Sequence, residues 1–171
     1  MLAKKIEDAL NEQVRLEAAS SQFYLAMASW AENQGFNGTA TFMYAHSDEE
    51  RMHMLKLMQY INERGGHAVV SALDQPSTDY NSLQEVFDNL LSHEELVTQK
   101  INELVFLCLQ EKDYTTHNFL QWYVSEQIEE EALARTILDK LKLIGNDKGG
   151  LYLFDRDVEN IQVKSVAANN G

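Results

Sequence analysis

Four glutamates, one glutamine and one histidine recur at a spacing that puts all of them on the apolar sides of helices. In SDEERMHML, residues 47–55, steps of three and four around Glu50 reach Met43, Met54, Leu57 and Ile61. A carboxylate therefore stands in the middle of an apolar stripe. His53 falls on the same side one turn along. Glu17 precedes Glu50 by 33 residues, and Glu94 precedes Gln127 by the same 33. The steps Glu50–His53 and Gln127–Glu130 are both three, and a shift of 77 carries the first set onto the second and Glu49 onto Glu126. Two hairpins with one ligand-bearing pattern would bring these groups to a common height.

Burying an ionised carboxylate costs several kcal/mol unless something compensates it. No Lys or Arg occupies the stripes that carry Glu17, Glu50, Glu94 and Glu130. Four converging carboxylates with one imidazole call for cations. Oxygen donors with a single nitrogen suit Fe(II) or Mn(II), with zinc as a competitor. The charges match two divalent ions, with Glu50 placed to bridge them. The bland alternative is a hydrated polar network that serves only to set helix register.

The elements that must position these groups are four long helices. The first is predicted from about Ile6 to Asn33, ending at the turn Gly35–Gly38, and the second from about Thr39 to Arg64, stopped by Gly65-Gly66. Residues 67–81 hold the only proline, Pro76. Ser82-Leu83-Gln84-Glu85 reads as a capping box that opens the third helix, which runs to about Gln110. A short turn at Asp113–Thr115 leads into the fourth, to about Ile144, and LYLFDRDVENI reads as a short fifth helix. The seams of the first, third and fourth helices run through Leu10, Val14, Tyr24 and Ala28; through Phe87, Leu90, Val97 and Ile101; and through Leu120, Tyr123, Ala134 and Ile137. Four such seams make an all-α, antiparallel four-helix bundle. Short turns make hairpins of the first and last pairs. A crossover of roughly 15 residues can stretch to about 45–50 Å, enough to span a helix of about 40 Å. The third helix can thus start where the second started. Residues 1–161 form one domain, with 162–171 as a flexible tail.

Composition narrows the classes. A formal net charge of −13 argues against a nucleic-acid binder. No run approaches the roughly 18 apolar residues of a membrane span, and the N-terminus has no secretory apolar core. The single Cys108 rules out an intrachain disulfide and any cysteine-based metal module. A cytoplasmic protein is the expectation.

At NEQVRLEAASSQFYLAM, DEERMH, SHEELVTQKINEL and HNFLQWYVSEQIEEE the chain resembles the ferritin family, specifically the bacterial non-haem ferritins. The resemblance implies a ferroxidase centre in each subunit. Glu17, Glu50 and His53 would hold one iron; Glu50, Glu94 and Glu130 would hold the second, with Gln127 hydrogen-bonded beside the pair. Glu49, Glu126 and Glu129, with Glu130, would make a third iron site. Tyr24 would act beside the irons as partner or electron donor. The resemblance further implies a homo-oligomeric cage of 24 subunits that oxidises Fe(II) with O₂ or H₂O₂ and stores ferric mineral. No haem is expected, because Met52 lies immediately before His53 and not two residues before it. The pair Gln127-Glu130 stands where bacterioferritins carry a second Glu-x-x-His, so that pattern loses its second histidine. His46 reads as a hydrogen-bonded core histidine, with metal binding the alternative, and His93 as a surface residue. GGLYLF is apolar for a terminal segment, which suggests cover by another subunit. The rival class is a di-iron oxidase that turns over a soluble substrate and stores nothing; a third reading is a purely structural bundle.

Overall fold

The computed structural model of the chain describes residues 2–161. It consists of α1 (Lys4–Asn33), α2 (Asn37–Glu63), α3 (Leu83–Gln110), α4 (Tyr114–Ile144) and α5 (Lys148–Val158), with no strand among the described residues. This is the expected all-α bundle with a short fifth helix. The expected tail, 162–171, lies outside the described residues. Among the described residues no helix is long and apolar enough to cross a membrane.

The caps follow from the sequence. Ser82 Oγ accepts from the Glu85 amide at 3.1 Å, and Glu85 reaches back to the amide of Asn81 at 2.6 Å. Asp113 caps α4 through the Thr116 amide and hydroxyl, and Asp147 caps α5 through the Gly150 amide. Each cap satisfies a donor that the first helical turn leaves open. At the end of α1, Gly35 takes the left-handed conformation, φ +84°, and Phe36 donates back to Ala31 at 2.9 Å.

The expected seam residues meet in two apolar clusters. One joins Tyr24, Ala28, Met43, Leu83, Phe87, Leu90, Ala134 and Ile137. The other joins Leu10, Val14, Leu57, Ile61, Val97, Ile101, Leu120 and Tyr123. The starts of α2 and α3 share the first cluster and their ends share the second, so the crossover does return the chain to run parallel with α2. Between the clusters, at mid-height, lie Glu17, Glu50, Glu94, Gln127 and Glu130. Cys108 packs in the second cluster. Met54, expected on the α2 stripe, is only half-buried, and His46, Ser47 and Glu49 complete that face.

The start of α2 differs from expectation. The helix begins at Asn37, two residues early, and includes Gly38, read in the sequence as part of a breaking turn. No side chain near Phe36 caps it. The cap comes from α5: Asp155 accepts from the Gly38 amide (3.0 Å), the Thr39 amide (2.8 Å) and the Thr39 hydroxyl (2.8 Å). Gly38 is there for close approach, since a Cβ would stand 1.8 Å from the Asp155 carbonyl oxygen. Phe154 and Val158 bury beside this contact, while Tyr152 and Leu153 stay exposed in the single chain. Asp155→Ala is expected to lower unfolding stability by about 1–2 kcal/mol, the scale of a lost helix cap. Chemical denaturation at fixed protein concentration measures it, and an unchanged midpoint would mean that α5 does not hold the start of α2.

Candidate metal centre

The helices deliver their polar residues into the gap between the two apolar clusters. Glu17, Glu50, His53, Glu94, Gln127 and Glu130 are all buried, Glu94 completely. No lysine or arginine is buried among the described residues. Ligand atoms of Glu17, Glu50 and His53 lie within 4.8 Å of one another, as do those of His46, Glu49 and Glu130, and those of Glu49, His53 and Glu126. These groupings draw on α1, α2 and α4; Glu94 of α3 belongs to none of the three and joins the layer through its hydrogen bonds to Tyr24 and Gln127 and its charge beside Glu50. Glu129 belongs to none of these three groupings and is exposed on α4.

Neutral donors hold the carboxylates. Gln13 donates to Glu17 Oε1 at 2.8 Å. Tyr24 donates its hydroxyl to Glu94 Oε1. Gln127 Nε2 donates to Glu94 Oε2 at 3.0 Å. Tyr123 donates to the His53 carbonyl at 2.8 Å. His53 Nδ1 is 3.6 Å from Glu50 Oε2, an ion-pair distance beyond a hydrogen bond. Glu17 Oε2 and Glu50 Oε2 have no hydrogen-bond donor. Buried carboxylate oxygens without donors fit a site shaped for cations. A cation there would touch oxygens and one imidazole, a set suited to Fe(II).

The family model for a ferritin-like domain matches residues 7–144. The chain belongs to the ferritin family. It is 50% identical over 165 residues to a probable bacterial non-heme ferritin-like protein of Haemophilus influenzae, covering 96% of this chain and 100% of that one. It is 46% identical over 161 residues to a bacterial non-heme ferritin of Campylobacter jejuni, covering 94% and 96%. A solved open pore ferritin from the archaeon Archaeoglobus fulgidus matches with a TM-score of 0.93 at 41% identity, covering 95% of this chain and 100% of that one. A humanized archaeal ferritin matches with a TM-score of 0.94 at 39% identity, over 96% and 100%.

Several groups in this ferritin escaped the sequence reading. Gln13 sits one turn before Glu17, where its sequence position carries no signal beyond that of any helical glutamine. Ser21 and Ser47 donate to each other's carbonyls across α1 and α2, both at 2.8 Å, and let the two backbones approach. His46 is fully buried against Phe42, with Nε2 3.3 Å from Glu130 Oε2 and Nδ1 without a hydrogen-bond partner. It is a core histidine, as expected, and its place in the core is beside the carboxylates. His93, expected at the surface, instead tucks its ring against Phe23 and the edge of Tyr24, with Nε2 2.7 Å from Ser20 Oγ. Burial pushes its pKa down to about 4. It lies about 100° around α3 from Glu94, on the side that faces α1, which single-helix periodicity does not reveal. Trp122 stands edge-on to His53 with Lys56 Nζ 4.1 Å from its ring centre.

Electrostatics follow from this geometry. Burial, then repulsion from Glu50, holds Glu17 well above the usual carboxylate range. Burial and the charge of Glu94 do the same to Glu50. Glu94 and Glu49 are both raised to about 7 by burial and then by Glu130. Burial opposes charge on His46, yet Glu130 raises its pKa overall. For the acids the sign is destabilising as pH rises. An unfolded glutamate ionises near 4.5, so between that pH and about 7 the unfolded chain releases protons that the folded chain retains. The metal-free protein is expected to lose stability from about pH 5 to 8, and less so in Glu50→Gln. Thermal unfolding in chelator across that range tests this. An equal or steeper loss in Glu50→Gln would contradict protonation of the cluster.

Proposed function

We propose that this ferritin stores iron, oxidising Fe(II) at a di-iron centre within each subunit and depositing ferric mineral inside a cage of 24 subunits. The observation that carries the reading is the buried carboxylate layer, whose oxygens at Glu17 and Glu50 have no donor and whose surroundings include no buried lysine or arginine. Non-heme ferritin relatives along nearly the whole chain support the storage reading.

Iron is the substrate. Glu17, Glu50 and His53 hold one Fe(II); Glu50, Glu94 and Glu130 hold the other, with Glu50 shared. Each iron gives one electron, and together they reduce O₂, with two protons from water, to hydrogen peroxide, or H₂O₂ to two hydroxides. Carboxylates favour the ferric state and can shift between shared and single binding as charge grows. Gln127 acts through its hydrogen bond to Glu94 and not as a ligand. Tyr24, bonded to the same carboxylate, is placed to lend an electron or to steady Glu94. Glu49, Glu126 and Glu130, with Glu129 on the outer side, make a third iron site, and His46 adds a nitrogen at its inner edge.

Assembly is supported by what the single chain leaves bare: Phe106 (61% exposed), Ile128 (67%), Leu143 (89%) and Tyr152 (71%). Apolar side chains on this scale suit contact with further copies of the chain. The acidic surface would help to draw in Fe(II).

Light scattering on a sizing column after Fe(II) addition in air is expected to give a particle of roughly two dozen chains holding many ferric ions per chain. A small oligomer with two or three irons per chain would favour the di-iron oxidase instead. Glu50→Ala is expected to abolish the rapid phase of ferric absorbance, a loss of at least about a hundredfold, because both irons lose their shared ligand. Wild-type kinetics in that variant would remove Glu50 from the centre.

A further inference from the structure

Glu94 owes one of its two hydrogen-bond donors to a chain of side chains that reaches the surface between α3 and α4. Gln127 Nε2 donates to Glu94 Oε2 at 3.0 Å, lies 3.3 Å from the Glu94 carbonyl oxygen, and also approaches Thr98 Oγ1 at 3.4 Å. Thr98 in turn donates its hydroxyl to Glu131 Oε1 at 2.6 Å. Arg135 holds the other oxygen of Glu131 at 2.8 Å. Thr98 and Glu131 lie one turn beyond Glu94 and Gln127 on their respective helices.

The direction of these bonds matters. A carboxylate only accepts, so Glu131 takes the single proton of Thr98 and leaves that hydroxyl oxygen as an acceptor facing Gln127. The Gln127 amide then meets three acceptors on one side: Thr98 Oγ1, the Glu94 carbonyl and Glu94 Oε2. Only its NH₂ end fits there; the flipped amide would set its oxygen against all three. Outside Gln127 lies a hollow of about 200 Å³, lined also by Asn102, Val124 and Ile128, into which an unrestrained amide could turn.

We propose that Thr98 and Glu131 are positioning residues for Glu94: they fix the Gln127 amide so that it donates to Glu94, which with Tyr24 on the other oxygen sets the plane in which Glu94 meets the second metal. The proposal rests on the reading of Glu94 as a ligand of that metal. Hydrogen bonds behind a ligand orient it, and their loss weakens metal binding by roughly tenfold or more.

Anaerobic Co(II) titration of the metal-free assembled protein, followed by visible absorption, tests the chain. Thr98→Val keeps the shape and removes the hydroxyl. It is expected to leave the first Co(II) unchanged, to weaken the second about tenfold, and to be restored by Thr98→Ser. Glu131→Gln, which can offer Thr98 a donor and reverse its hydroxyl, is expected to weaken the second ion in the same sense. Wild-type binding of both ions in Thr98→Val and Glu131→Gln would overturn the proposal, and so would equal weakening of both ions, which marks a merely structural role. Glu94→Gln separates the two levels. If it loses the second Co(II) while Thr98→Val does not, positioning alone is wrong. If Glu94→Gln keeps both ions at wild-type affinity, the ligand reading is wrong and takes the positioning role with it.

Discussion

The fold is organised around a layer of buried carboxylates with no lysine or arginine buried among them. Glu17, Glu50, Glu94 and Glu130 come from four different helices and meet where a core would otherwise be most apolar. Desolvating even one such charge costs several kcal/mol. The chain bears this by keeping the layer thin and closing it from both ends with aromatic and aliphatic packing. Tyr24, Phe42 and Phe87 close one side; Tyr123, Leu57 and Ile101 close the other. The long helices, the hairpins and the crossover all serve that geometry. Parallel α2 and α3 let each hairpin bring its Glu-bearing segment to one height, and a different connection would scatter the set.

The bundle was legible in the sequence because its seams are long and regular, and because the polar interruptions repeat from one hairpin to the next. Periodicity places a residue on a face of its own helix, and that sufficed for Glu17, Glu50, His53, Glu94, Gln127 and Glu130. What periodicity does not hold is the relation between helices. His93 is off the seam of α3 but faces α1, so its burial against Phe23 and Ser20 had no signature in its own helix. His46 and Glu49 differ from Glu129 by the same kind of relation: the first two point into the layer, the last away from it. Gly38 was misread for a related reason. Its role depends on a backbone 117 residues away, and a lone glycine after a turn looks like one more breaker.

The donors that the layer does contain explain how it can be negative and still specific. Gln13, Tyr24 and Gln127 are all neutral, and each bonds a carboxylate oxygen without cancelling its charge. A lysine in any of these places would form an ion pair, steady the empty bundle and compete directly with a divalent cation. Neutral donors orient the carboxylates and leave the charge for the metal to balance. The cost of burying the layer appears as raised carboxyl pKa values. Metal binding then exchanges protons for iron without moving a side-chain cation out of the way. On this argument the absence of buried lysine and arginine is as much a part of the site as its glutamates.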